Sequence, residues 1–254
     1  MRSLPSNVPT YSDRPRRRFE QHYETGKPLK LSPFNRNVLA KRTMFLARVV
    51  SSDQPDRLLK SGAHQRKIGS HVAKGAWRGL PIFTLTLEER ATCPETCRNW
   101  LTCYGNAMNW SERITADDGL MPRLSAELAA LAREFRRGFV VRLHVLGDFF
   151  SPAYVEFWAD QLARHPGLRI FGYTAWHPGT EIGDAITAVR ELFAGRFAVR
   201  HSDGLAGSFR TRTVERAEDA DGAVICPVQT GRTDCCGTCA LCWSSPKPIA
   251  FLVH

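Results

Sequence analysis

From residue 81 onward, apolar positions alternate between short continuous runs and faces at helical spacing. Residues 81–87 (PIFTLTL) are β-branched and aromatic enough for a strand, which leads directly towards Cys93. Leu124, Leu128, Leu131 and Phe135 recur at helical spacing, and Gly138 stops that helix. Residues 139–146 predict a second strand. Ser151-Pro152 reads as an N-cap followed by proline at the first helical position, with Val155, Trp158 and Leu162 on one face behind it. Residues 168–174 predict a third strand. Ile182, Ile186, Val189 and Phe193 predict a helix closed by Gly195, and residues 196–200 a fourth strand. The starts near 139, 168 and 196 are one β–α unit apart in a parallel arrangement. Short candidates at 222–226 and 248–253 bring the strand count to six. The expected fold class is α/β, with parallel βα units forming an open or partial (βα)6-type barrel.

Before residue 81 this order lapses. Residues 1–35, with Arg14-Pro15-Arg16-Arg17-Arg18, predict a flexible basic arm. Residues 37–50 place Val38, Leu39, Phe45, Leu46 and Val49 between Lys41, Arg42 and Arg48, the pattern of a basic helix. The expected organisation is therefore an arm (1–35), a basic helical extension (36–80) and a cysteine-bearing α/β domain (81–254). Charge follows the same boundary. The chain holds 35 Lys and Arg against 25 Asp and Glu, and through Leu80 the counts are 17 and 5, so the basic excess lies in the first third. With aromatics interleaved (Phe19, Tyr23, Phe34, Phe45, Trp77), that stretch points to a nucleic-acid partner held by residues 1–80. A solvated face or a protein partner would explain it equally well. The apolar content of 43 % excludes global disorder. No apolar run approaches the roughly 20 residues of a membrane span, and the start has no signal-peptide core, so no membrane and a cytoplasmic location are expected.

The eight cysteines form two groups: Cys93, Cys97 and Cys103, then Cys226, Cys235, Cys236, Cys239 and Cys242. In a reducing compartment such clustering indicates metal or cluster ligands rather than disulfides. Three thiols leave one iron of a [4Fe–4S] cluster, or one position on zinc, without a protein ligand. Cys236-x2-Cys239-x2-Cys242 is the local three-cysteine run of bacterial ferredoxins, and Cys226-Pro227 resembles their remote Cys-Pro ligand. Spacing does not separate a four-thiolate cluster from a four-thiolate zinc. Adjacent residues rarely ligate one metal together, so either Cys235 or Cys236 is spare, and Cys235 is taken as the spare here.

In a parallel α/β fold function collects at the carboxyl ends of the strands, and the unusual residues lie there. Gly147-Asp148 follows the second strand, where glycine lets a ligand approach the backbone and the carboxylate can take an amino group or a ribose hydroxyl. A tight turn with Asp148 bonding loop amides is the plainer account. His144 reads as an inward polar residue. His201 and Asp203 follow the fourth strand and are candidates for chemistry, or members of an ordinary turn. Trp243 is expected to shield the second thiol group from water, and Trp100 and Trp110 either to shield the first or to pack in the core.

Cys93-Pro94, Cys103-Tyr104-Gly105-Asn106, Arg142-Leu143-His144-Val145-Leu146-Gly147-Asp148-Phe149 and Cys226-Pro227 with Cys236-Gly237-x-Cys239-x-Leu241-Cys242-Trp243 together resemble the phage gene product 88-like family. The order is also similar to that of radical SAM enzymes, with a three-cysteine loop after the first strand and a glycine-rich acidic segment after the second. That resemblance implies a cluster on Cys93, Cys97 and Cys103 with Tyr104 beside it, and the methionine end of S-adenosylmethionine at Gly147 and Asp148. The last cysteine gap is five residues rather than two, Leu146 replaces the second glycine and Asp148 the glutamate. Two functions follow as expectations. One is an iron–sulfur enzyme of radical-SAM-like build acting on or near nucleic acid. The other is a zinc- or cluster-stabilised nucleic-acid-binding module without catalysis.

Overall fold

The computed structural model describes residues 29–202 and 204–253. The arm expected over 1–35 lies outside the described residues for all but its last few positions.

Strands β1 (Val49–Val50), β2 (Lys60–Ser61), β3 (Ile82–Thr84), β4 (Arg113–Ile114), β5 (Phe139–Leu143), β6 (Leu168–Thr174) and β7 (Phe197–His201) are followed by β8 (Thr211–Val214), β9 (Val224–Ile225) and β10 (Ile249–Leu252). The main sheet has the order β2-β3-β5-β6-β7, parallel except for the antiparallel edge strand β2. Every residue of β5 and β7 is buried, as expected of parallel strands covered on both faces.

Three long helices make the crossovers: α2 (Leu120–Glu134), α3 (Pro152–Arg164) and α4 (Glu181–Leu192), preceded by the short α1 (Arg36–Leu39). Leu120, Leu124, Leu128 and Leu131 form the buried face of α2. The cap at Ser151 is present, its hydroxyl accepting from the N–H of Tyr154 at 3.2 Å. Trp158 of α3 is fully buried against the apolar face of the main sheet. No helix among the described residues is long and apolar enough to cross a membrane.

Two expectations are corrected. The strands near 222–226 and 248–253 exist as β9 and β10, but they do not extend the main sheet. They form a second parallel sheet of order β8-β10-β9, linked to the first by a single bridge between His201 and Arg210. Strand β8 (TRTV) escaped notice because three of its four residues are polar, and Arg212 within it is exposed. The basic helix over 37–50 is reduced to the four residues of α1. Lys41 takes a positive φ of 55°, and buried carboxylates draw the chain off the helical path. Glu88 accepts from Arg42 Nε at 2.6 Å and from the N–H of Thr43 at 3.1 Å, while Glu89 accepts from the Thr43 hydroxyl at 2.6 Å.

The rest of the 36–80 segment packs into the body. Leu58 and Leu59 belong to the larger apolar cluster, and Ile68, Val72, Trp77 and Leu80 to the one on the opposite face of the sheet. Part of its charge is neutralised there, through Lys41–Glu95, Arg42–Glu88 and Lys60–Glu112 pairs.

Candidate functional site

The loop after β3 begins with Glu88, Glu89 and Arg90, and their side chains hold the first cysteine group. Arg113, fully buried, donates to Glu89 at 2.8 Å and to the carbonyls of Gly105 and Met108 at 3.0 Å each, and also to that of Ser111. Arg90 reaches the carbonyl of Trp100 and the side chain of Asn106, whose amide donates to the carbonyls of Leu29 and Leu101. The long Cys93–Cys103 loop is thus fixed by charge-assisted bonds rather than by regular structure.

Thr92 ties this loop to the next. Its hydroxyl donates to the carbonyl of Glu88 at 2.9 Å and accepts from the N–H of Asp148 at 3.1 Å. Gly147 has φ +82°, and a Cβ there would lie 2.6 Å from Thr92 Oγ1 and 2.7 Å from Leu87 Cβ. Glycine is required at this position by both backbone and space. Asp148 is buried and accepts from the N–H groups of Phe149 at 2.8 Å and Ala175 at 2.6 Å. Those bonds favour the carboxylate, but burial outweighs them and pushes its pKa up to about 7.

The second group sits where the two sheets meet. Cys226 follows β9, its N–H donating to Ala250 at 2.9 Å. Cys236 and Cys239 lie on α5 (Cys236–Cys239), and Cys242 on α6 (Leu241–Ser244). The 67–73 segment clamps α5 through Cys236 N to Lys67 O, Gly237 N to Ile68 O and Ala73 N to Gly237 O, at 2.8 to 2.9 Å. A Cβ at Gly237 would lie 2.2 Å from the carbonyl oxygen of His71, which explains the glycine between the two thiols. Trp243 stacks on Trp77 with ring centroids 5.1 Å apart and also meets Phe171. Tyr173 Oη lies 2.8 Å from Cys242 Sγ. Arg200, fully buried, donates to the carbonyls of Cys242, Ser245 and Lys247 and fixes this end of the chain.

Both groups face one cavity of about 920 Å3. Cys93, Cys97, Cys103, Cys226, Cys236, Cys239 and Cys242 all line it, and Cys235 does not. The Sγ of Cys235 lies against Thr238 Oγ1 and the backbone of Gly69. Tyr104, Gly147 and Asp148 join the lining. Burial pushes the Cys103 thiol up to about 12 and the Cys242 thiol up to about 11, and it raises Cys93, Cys97, Cys236 and Cys239 as well. Neighbouring thiols of the same group add to the effect in most of them. Such thiols stay protonated at neutral pH unless a metal takes the place of the proton. Among the described residues, no group of three or more His, Cys, Asp or Glu is already placed to hold a metal ion.

Residues 56–186 match the profile of the gene product 88 family, just over half of the chain. The chain belongs to that family. The matched span takes in the first thiol group with Gly147 and Asp148 and ends before Cys226. No curated protein and no solved structure matches the chain.

Other candidates fall elsewhere. His201 is buried outside the cavity lining, with Nε2 3.1 Å from Thr187 Oγ1 and Nδ1 2.9 Å from the Trp176 carbonyl. Asp203 lies outside the described residues. Trp110 shields nothing: it is 78 % exposed, under the Arg48 guanidinium. Arg142, Tyr173, Arg200 and Arg113 were missed by sequence reasoning. For Arg142 and Arg200 the signal was a charge among apolar strand residues, as in Phe-Val-Val-Arg-Leu and Phe-Ala-Val-Arg-His.

Proposed function

We propose that this gene product 88 family protein is an iron–sulfur protein that works as a radical-SAM-like enzyme on or near nucleic acid. Cys93, Cys97 and Cys103 hold one [4Fe–4S] cluster, and Cys226, Cys236, Cys239 and Cys242 hold a second. The observation that carries this reading is the sorting of the thiols: seven line one cavity, and Cys235, one of the two adjacent thiols of which spacing leaves one surplus, does not. An all-thiol donor set suits iron–sulfur clusters and zinc, not hard cations. Ligation would draw the side chains of each group inward and release their protons. Cys93, Cys97 and Cys103 would hold a cluster with one iron free of protein ligands, and its chemistry when bound would be one-electron reduction of S-adenosylmethionine.

The chain's own residues have separate tasks in this reading. Thr92 and Gly147 bring the backbone of the second strand end against the cysteine loop. Asp148, held by two backbone donors, presents a carboxyl poised near neutrality to the cavity. Tyr104 flanks Cys103 at the cavity wall. The two sheets, joined through His201 and Arg210, act as a partial barrel around the cavity.

A structural zinc on the second group is the alternative, and it makes the chain a metal-stabilised nucleic-acid-binding module. The packing of Cys226 and Cys242 in an apolar cluster beside Trp77 and Trp243 favours it for that group. Anaerobic reconstitution with iron and sulfide, then reduction with S-adenosylmethionine present, decides between them. The enzyme reading expects a brown protein that cleaves S-adenosylmethionine. A colourless protein carrying two zinc ions contradicts it.

A further inference from the structure

Arg142 stands in the buried strand β5, where a charge is costly unless it is paired. It is 8 % exposed and lines the cavity. Its Nη1 donates to the carbonyl of Leu143, and its guanidinium lies 4.6 Å from the ring of Tyr173 and 5.6 Å from that of Phe171. Among the described residues no carboxylate lies within ion-pair distance of it, and its Nε and Nη2 find no acceptor. The other three buried arginines differ: Arg113 pairs with Glu89, Arg90 donates to the Trp100 carbonyl and the Asn106 side chain, and Arg200 is satisfied by three carbonyls.

Two residues further on, His144 is buried and lines the same cavity. Its Nε2 lies 3.1 Å from Tyr154 Oη, and its Nδ1 is buried without a partner among the described residues. Asp148 is close enough to feel the Arg142 charge, but among the described residues it makes neither an ion pair nor a hydrogen bond with Arg142 or His144; its oxygens accept from the backbone N–H groups of Phe149 and Ala175. A buried cation and a buried unpaired ring nitrogen, side by side in one cavity, are what an anionic ligand would satisfy.

We infer that Arg142 and His144 form an anion-binding end of the cavity, which takes the carboxylate or phosphate of a small molecule. A guanidinium fork suits either group bidentately. Burial and the Arg142 charge keep the imidazole neutral. With the Tyr154 hydroxyl donating to Nε2, the ring proton sits on Nδ1, which has no other partner among the described residues and is the atom left to donate to an anion. Tyr173 covers one face of the guanidinium and holds it in place. This assigns a ligand class to the cavity proposed above, and it holds whether the thiols carry iron or zinc.

The test is calorimetric titration of the full chain at low ionic strength with inorganic phosphate and, separately, with acetate. Metal content is measured on every sample. The expected result is saturable one-to-one binding of at least one anion, and which one binds tells phosphate from carboxylate. R142Q should weaken it by about thirtyfold or more. R142K, which keeps the charge but loses the fork, should weaken it by about tenfold, and it carries the test if R142Q does not fold. R133Q, at an exposed arginine of α2 outside the cavity lining, should bind like wild type. The inference is overturned if wild type binds neither anion, if both Arg142 variants bind as tightly as wild type, or if R142Q loses its metal together with the anion. Anion binding by a chain that, purified without oxygen, carries zinc and no iron would leave this inference standing while the iron–sulfur reading fails.

Discussion

Removing the guanidinium of Arg113 should loosen the first cysteine loop without touching a thiol. Arg113 is fully buried, pairs with both oxygens of Glu89 at 2.8 and 3.2 Å, and donates to three carbonyls between Gly105 and Ser111. Its guanidinium also lies 5.0 Å from the ring centre of Phe45. In Arg113→Met the aliphatic volume is largely kept, but Glu89, 1 % exposed, retains only Thr43 as a side-chain donor. Breaking a buried ion pair from one side costs about 3–5 kcal/mol. Each orphaned carbonyl adds about 1 kcal/mol or more unless the loop relaxes to water. The expected loss is therefore about 4 kcal/mol, read from urea unfolding followed by tryptophan fluorescence. The double variant R113M/E89Q removes the stranded charge and should recover about 2 kcal/mol relative to additivity. Cys93, Cys97 and Cys103 should react faster with a thiol reagent in R113M, while Cys242, held from Arg200, should not change. A single variant within about 1 kcal/mol of wild type, or strictly additive effects, would refute the reasoning.

Other outcomes follow from the same contacts. Burial raises the Asp148 carboxyl to about 7 from an ordinary 3.8, so the folded metal-free chain binds this proton more tightly than the unfolded one. Its contribution is full below about pH 4 and is lost as pH rises through 7; D148N should remove up to about 4 kcal/mol of that slope, and an unchanged slope counts against it. G147A should cost more than about 2 kcal/mol, since φ is +82° and the new methyl meets Thr92 and Leu87; a near-neutral effect in thermal unfolding would show that the two loops are not in contact. C235S should keep the metal content of wild type, whereas C236S should lower it, and the opposite order would reverse the assignment of the spare thiol. If the basic first third holds nucleic acid, R16A/R17A/R18A should weaken binding uniformly across sequences and flatten its salt dependence by about one power per lost phosphate contact; unchanged binding removes these arginines from the interface.

Much of the α/β core could be read in the sequence because its elements obey single periodicities. Strands β5, β6 and β7 begin at 139, 168 and 197, and the Ser151-Pro152 start of α3 lies where the capping pattern puts it. The division of the cysteines into two groups was also legible; spacing left Cys235 or Cys236 as a surplus thiol, and Cys235 lies outside the cavity lining. What failed depended on distant partners. Residues 37–50 carry a helical pattern, yet Glu88 and Glu89, far along the chain, hold Arg42 and Thr43 in another conformation. The second sheet brings β10 between β8 and β9, an order that no local pattern encodes. His201 sits at a strand end as expected, but its ring is taken up by Thr187 and Trp176 O. Arg142 went unnoticed because its meaning lies in what it lacks, an ion-pair partner among the described residues, and that is visible only in three dimensions.

The most direct measurement is the iron, zinc and acid-labile sulfide content of the full chain purified without oxygen, with its visible absorption spectrum. The account predicts iron and sulfide in nearly equal amounts, a broad visible absorption, and loss of both when Cys93, Cys97 and Cys103 are replaced together with Cys226 and Cys242. Zinc without sulfide, or no bound metal at all in a folded chain, would contradict it.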